Sequence, residues 1–166
     1  PTSSTTVQMA IGDALAICLM ELRNFKDQDF AKFHPGGSIG KNLTAKVEQF
    51  LSSQKPMVEE NSTIKDVIFS ISSSKHGITV VLENGTISGV ITDGDLRRML
   101  LKTDNIGGIL AKDIMSKNPK TIEKEALAKE ALFILKQNNI GQLIVTENGN
   151  YFGIIDLHRL LDEGIN

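Results

Sequence analysis

The carboxyl-terminal two-thirds of the chain is one unit written twice at a fixed offset. Gly77 returns 64 positions later as Gly141, and Gly89 returns as Gly153. Glu83-Asn84-Gly85 returns as Glu147-Asn148-Gly149, Ile91 as Ile155 and Leu96 as Leu160, with no insertion between the copies. Self-similarity at a fixed period marks structural units that pack on one another, because one copy alone cannot bury its apolar face. The repeat therefore sets the architecture and directs attention to the cleft between the copies as the place for a ligand.

Each copy reads the same way. An extended segment (Pro56-Met57-Val58; Pro119-Lys120-Thr121-Ile122) leads into an amphipathic helix. Its inner face carries Ile64, Val67, Ile68 and Ile71 in the first copy, and Ala128, Ala131, Leu132 and Leu135 in the second. A β-branched run follows, Ile78-Thr79-Val80-Val81 or Leu143-Ile144-Val145. Asn84-Gly85 and Asn148-Gly149 then signal type I′ hairpin turns, which need positive φ at both central residues. A second strand (Ile87 to Ile91; Tyr151 to Ile155) and a closing helix (Asp93 to Leu101; Leu157 to Asp162) complete the order β-α-β-β-α.

Ahead of the repeat lie three helical segments. The first, Thr5 to Arg23 with Ser3, Ser4 or Thr5 as N-cap, is apolar nearly all round and so needs burial on every side. A second, opened by Asp27 and carrying Phe30 and Phe33, stops at His34-Pro35-Gly36-Gly37. A linker helix with Leu43, Val47, Phe50 and Leu51 on one face then leads into the first copy.

Composition excludes several functions. Eighteen basic against twenty acidic residues give a net charge of −2, which offers no electrostatic footprint for nucleic acid or an anionic membrane. The single cysteine, Cys18, rules out a disulfide framework and suggests a reducing cytoplasm. No apolar stretch is expected to reach the roughly 20 residues of a membrane span. No His/Cys cluster has metal-ligand spacing, so neither a metal nor a required cofactor is expected. The chain opens on Pro1-Thr2-Ser3-Ser4 without an initiator methionine, and is expected to be part of a longer protein.

The element order, the period and the motif Gly89-Val90-Ile91-Thr92-Asp93-Gly94-Asp95 resemble a tandem pair of CBS domains. The resemblance implies a mixed α/β fold in which two copies dock through their sheets as a pseudo-twofold disc. Its two symmetry-related clefts bind adenosine-containing or other nucleotides. In such a site Thr92 and Asp95 would hold ribose hydroxyls, since a carboxylate accepts two hydrogen bonds at once. Arg97 and Arg98 would be available to phosphate near the helix start. His76, Gly77, Ile78 and Thr79 would line the base side, with Val58 also in the effector site. The same residues also allow a plainer reading: Asp95 as a helix cap, with Arg97 and Arg98 on a solvated face. The second copy departs from the motif, with Asp156 in place of Thr92 and Arg159 in place of Asp95; both are expected to belong to the effector site there, Arg159 suiting an anionic group. One competent cleft, or a ligand other than plain AMP or ATP, is expected.

The amino-terminal motifs narrow the resemblance. Pro1-Thr2-Ser3-Ser4-Thr5-Thr6, Gly12-Asp13-Ala14-Leu15-Ala16 and Phe33-His34-Pro35-Gly36-Gly37-Ser38-Ile39-Gly40 resemble the end of the sugar-isomerase (SIS) domain of bacterial D-arabinose 5-phosphate isomerases. Those enzymes join an SIS domain to a CBS pair, and interconvert D-ribulose 5-phosphate and D-arabinose 5-phosphate on the way to Kdo of lipopolysaccharide and capsule. The implied domains are 1–42 (remnant of the SIS domain), 43–102 (linker helix and first CBS motif) and 103–166 (second CBS motif). His34 is the one catalytic residue carried over, suited to proton transfer in the parent enzyme. The chain by itself is expected to be inactive. Three functions follow as expectations: a regulatory sensor of a nucleotide or nucleotide-sugar effector, CMP-Kdo first among them, an adenine-nucleotide sensor, or a ligand-free module for self-association as homodimer or tetramer.

Overall fold

The computed structural model describes residues 2–33, 38–103 and 105–166, and divides into one unit through Thr44 and a second from Ala45 onward. In the first unit α1 (Thr2–Leu22) is already helical at Thr2, so Ser3, Ser4 and Thr5 lie inside the first turn instead of capping it. The Thr5 and Thr6 hydroxyls donate to the Thr2 carbonyl at 2.9 and 3.0 Å. Asn24 takes φ 50° just past the helix, and the Phe25 N–H closes the end on Met20 O at 2.9 Å. The short helices α2 (Asp27–Phe33) and α3 (Ser38–Thr44) pack on each other. Phe25 and Phe33 stack with centroids 6.4 Å apart.

Helix α1 corrects one expectation. It is 21 residues long, and an 18-residue window within it has a mean hydropathy of 1.3, long and apolar enough to cross a membrane by length and composition. Interleaved Thr, Ser and Gly residues hid that length in the sequence. Asp13 sits near the helix midpoint, where an acidic residue in a bilayer costs roughly 2.5–3.5 kcal/mol. The helix suits protein cover better than lipid. None of its residues is buried within this chain.

In the second unit, the first copy runs β1 (Met57–Glu59), α4 (Ile64–Ser74), β2 (Ile78–Glu83), β3 (Thr86–Thr92) and α5 (Asp93–Leu100). A connector holds α6 (Ala111–Ile114) and β4 (Ser116–Lys117), neither visible in the sequence pattern. The second copy runs β5 (Thr121–Glu123), α7 (Ala128–Asn138), β6 (Gln142–Glu147), β7 (Asn150–Asp156) and α8 (Leu157–Asp162). Both hairpins turn on left-handed pairs, Asn84 and Gly85 at φ 51° and 84°, Asn148 and Gly149 at φ 51° and 79°. Each hairpin carries a bulge at the same place, Val81/Leu82 or Val145/Thr146. The sheet orders are β1-β2-β3-β4 and β5-β6-β7, with β1 and β5 parallel to their neighbours and the other pairs antiparallel.

Strands buried on both faces read as continuous apolar runs, and β2 is such a strand. Val81 faces the helical layer of the first copy with Ile64, Val67, Ile71 and Leu96. Its neighbours Ile78, Val80 and Leu82 face the other sheet, where they meet Ile144, Tyr151 and Ile154. The two sheets thus share one apolar layer. Tyr151 spans it, donating its hydroxyl to the Pro56 carbonyl at 3.1 Å, and burial pushes its phenol well above the usual tyrosine range.

The copies also exchange their leading segments. The expected linker helix is broken: Lys46 is extended, and only Val47–Phe50 winds, as one 3₁₀ turn. That backbone is committed to the second copy. Val47 N–H donates to Ala126 O (2.9 Å), Glu48 N–H to Lys124 O (3.1 Å), and Ala128 N–H to Ala45 O (2.8 Å). Val47 and Phe50 complete the second copy's core beside Leu132 and Leu135. Reciprocally, Ala111 N–H donates to Ser62 O (2.9 Å) and Lys112 N–H to Glu60 O (3.0 Å), which places Ala111 in the first copy's core.

Candidate functional site

The exchange creates a cleft between the copies, with a volume of about 480 Å³. Its apolar walls are Ile78 and Val90 from the first copy and Ile140 and Ile144 from the second. Thr92 stands on one rim. Ser116, Lys117, Asn118, Pro119 and Lys120 of the connector form another, and Asn138, Gly141 and Gln142 a third. Two lysines and no acid line the cleft, so it favours anions. Opposed apolar walls suit a flat ring, and the hydroxyls and amides on the rims can pair with sugar or base edges.

Thr92 caps α5 in a full capping box. Its hydroxyl and N–H donate to Asp95 Oδ2 at 2.7 and 2.9 Å, and Asp95 N–H returns a bond to Thr92 Oγ1 at 3.3 Å. The other carboxylate oxygen accepts from Arg98 at 2.5 Å. Burial works against ionisation of Asp95, but the Thr92 hydroxyl, the Thr92 N–H and Arg98 together hold its carboxyl below the ordinary value of 3.8. Asp95 is thus an ionised cap with both oxygens engaged. It faces a second groove, about 480 Å³, with Arg98, Lys102, Thr103 and Asp113.

The remaining sequence candidates are dispersed. Of the base-side group, Ile78 joins Thr92 in the inter-copy cleft. Thr79 is fully buried and shares a 2.8 Å hydrogen bond with Ser70. Gly77, at φ 67°, accepts the Asp93 N–H, and a Cβ there would lie 3.0 Å from the Asp93 carboxylate. Val58 lines a shallow groove with Lys55 and Phe69. Arg97 turns back on the Asp93 carbonyl at 3.3 Å. His76 Nε2 pairs with Ser52 Oγ. Asp156 caps α8 by accepting His158 N–H at 2.8 Å, and takes a second bond from Gln142 at 3.0 Å. Arg159 donates to the Leu51 carbonyl at 2.7 Å. His34 lies outside the described residues. Among the described residues no group of three or more His, Cys, Asp or Glu is placed to hold a metal.

Sequence reasoning missed Lys117, Asn118, Lys120, Asn138 and Gln142. The repeat held the signal, because a twofold arrangement makes the helix opening of one copy face the leading segment of the other. Ser116 to Lys120 stand 64 positions after Ser52 to Pro56, and Ile140 to Gln142 after His76 to Ile78.

Comparison with known proteins agrees with this geometry. Residues 47–102 and 111–166 each match the family model described as CBS domain, at the repeat's own spacing. Over 97% of its length the chain is 42% identical to arabinose 5-phosphate isomerase KdsD of Francisella tularensis, covering 50% of that protein. Over 98% it is 38% identical to arabinose 5-phosphate isomerase KpsF of Escherichia coli, covering 49%. The chain spans about half the length of the curated relatives it matches. A CBS domain protein from Pyrobaculum aerophilum complexed with AMP has the same fold, with a TM-score of 0.63 at 19% identity over 69% of this chain and 89% of that one. A conserved protein from Pyrococcus horikoshii superposes equally well, with a TM-score of 0.63 at 21% identity over 72% and 91% of the two chains. With both copies matched and their sheets docked around a shared cleft, this chain belongs to the CBS-domain family and carries its domains as a tandem pair.

Proposed function

We propose that this chain is the regulatory part of an arabinose 5-phosphate isomerase, and that its inter-copy cleft holds a nucleotide-bearing effector. The cleft carries the reading: apolar walls, hydrogen-bonding rims and two lysines without an opposing carboxylate suit a flat base joined to an anionic sugar or phosphate. The AMP bound by the relative from Pyrobaculum aerophilum supports a nucleotide, and the similarity to isomerases supports the host.

Within that reading the finer assignment is CMP-Kdo, an end product whose binding would give feedback. The start of α5 already carries Asp93 and Asp95, so an anionic group is better served by Lys117 and Lys120. Thr92 offers the ribose a hydroxyl at the rim, and Asp95 holds Thr92 in place through the capping box. In the parent enzyme His34 would serve the proton transfer that interconverts ribulose 5-phosphate and arabinose 5-phosphate. The chain alone would be catalytically silent, and effector binding would bias a two-state element distant from the chemistry.

A thermal-shift series with CMP-Kdo, CMP, AMP and ATP tests this. Ligand at 100 times its dissociation constant adds roughly 2.7 kcal/mol, a rise of several degrees for a chain of this size. A rise with CMP-Kdo that disappears in Lys117→Ala/Lys120→Ala supports the assignment. A rise with AMP or ATP alone redirects it to energy sensing, and no rise with any ligand rejects the sensor.

A second reading rests on its own observation. Phe69 and Phe133 occupy equivalent places on α4 and α7 and are 75% and 64% exposed. Matched exposed aromatics, with the uncovered α1, favour self-association as a homodimer or tetramer. Sedimentation of Phe69→Ser/Phe133→Ser separates the readings: assembly predicts a smaller species, whereas sensing alone predicts no change.

A further inference from the structure

We propose that the second inter-copy cleft is closed from within by Ser52, His76 and Arg159, so that each chain accepts a single ligand molecule. The inference rests on the nucleotide reading for the ligand, and on the repeat for the comparison. The offset that maps Ser52 onto Ser116 and His76 onto Ile140 also maps Thr92 onto Asp156 and Asp95 onto Arg159. The second cleft is therefore defined residue by residue from the first.

The two differ in what their polar groups already touch. Around the first cleft, the side chains of Ser116, Lys117, Asn118 and Lys120 make no hydrogen bond or ion pair among the described residues, and so are available to a ligand. In the second, Ser52, Asp156 and Arg159 are already engaged. Ser52 Oγ pairs with His76 Nε2 and accepts the Gln54 N–H at 3.2 Å. Asp156 takes the Gln142 amide at 3.0 Å. Arg159 reaches across to the Leu51 carbonyl at 2.7 Å, and the Leu51 side chain comes within 3.1 Å of where a Cβ on Gly153 would stand. A ligand entering there must break the Ser52–His76 and Arg159–Leu51 bonds.

The test uses two readouts on the chain. In calorimetric titrations with CMP and with AMP, the wild type should bind one molecule per chain. Asp156→Thr/Arg159→Asp, which writes the first copy's pair into the second, should bind two. Separately, carbethoxylation of the half-buried His76 by diethyl pyrocarbonate should be several-fold slower than that of the exposed His158. It should accelerate in Arg159→Ala, which leaves His76 and its partner intact, and in Ser52→Ala, which deletes only a hydroxyl. Two molecules per wild-type chain would overturn the proposal, as would a His76 rate unaltered by Arg159→Ala. If neither nucleotide binds any variant, the nucleotide reading fails. The closure is then decided by the His76 rate alone: acceleration upholds it and constancy overturns it.

Discussion

The two copies share a backbone and differ in what opens their last helix. Both have the left-handed turn pair, the bulge, and a glycine carbonyl just ahead of the central strand that accepts the first helical N–H, Gly77 from Asp93 at 3.0 Å and Gly141 from Leu157 at 2.9 Å. The first copy then closes a Thr92–Asp95 capping box. The second uses Asp156 alone and sends Arg159 to the opposite segment. Symmetric packing needs both copies to keep the same apolar positions. Under the proposed function, ligand binding needs only one of them to keep the polar positions, which leaves Arg159 free to reach Leu51. Scaffold and site thus answer to different residues on the same elements.

The sharpest break of this comparison is in the shared layer. Ile154 is fully buried between the sheets. Ile154→Ala should remove about 3 kcal/mol, within the usual range for deleting a buried aliphatic side chain. It should lower a single melting transition, because both copies lean on that layer. Two separate calorimetric transitions would mean that the copies fold independently.

Next in size is a matched pair of glycines. A Cβ on Gly89 would lie 2.8 Å from the Ser116 carbonyl oxygen and 2.9 Å from Met115 Sδ, whereas one on Gly153 meets only the Leu51 side chain at 3.1 Å. Backbone cannot yield as a side-chain methyl can. Gly89→Ala should therefore cost about 2 kcal/mol by denaturant melting, and Gly153→Ala less than about 1. Equal losses would show that β4 is as yielding as Leu51.

Smaller still is the capping box. Thr92→Ala should cost about 1 kcal/mol. The smallest effect is on pH dependence. With its carboxyl held below the ordinary value of 3.8, Asp95 keeps fewer protons in the folded than in the unfolded state as pH falls past that value. Its contribution is complete above about pH 4 and is lost as pH drops through the folded value. Asp95→Asn should flatten the acid limb of the stability curve and leave the neutral plateau's slope unchanged.

The hairpins and amphipathic helices were legible because they are local. Asn-Gly pairs and helical spacing act over a few residues, and the repeat supplied an independent check. The exchange of leading segments was not legible. Val47, Phe50 and Leu51 fit a helical face in sequence, yet hydrogen bonds to Ala126 and Lys124, nearly eighty residues on, pull Lys46 into an extended conformation. The site was half legible for the same reason. Thr92 and Ile78 stand out by motif, but Lys117, Lys120 and Gln142 reach them only through the twofold packing of the copies. Asp95 could be read from sequence either as a ribose ligand or as a helix cap, and it makes the cap's bonds.

Amide chemical shifts followed during titration with CMP and with AMP test the central claim, that one of two equivalent clefts takes the ligand. Thr92, Lys117, Asn118, Lys120 and Gln142 should move together with one dissociation constant, while Ser52, Ser53 and Arg159 stay in place. Larger movements at Ser52 and Arg159 than at Lys117 and Lys120, or no movement at either cleft, would contradict it.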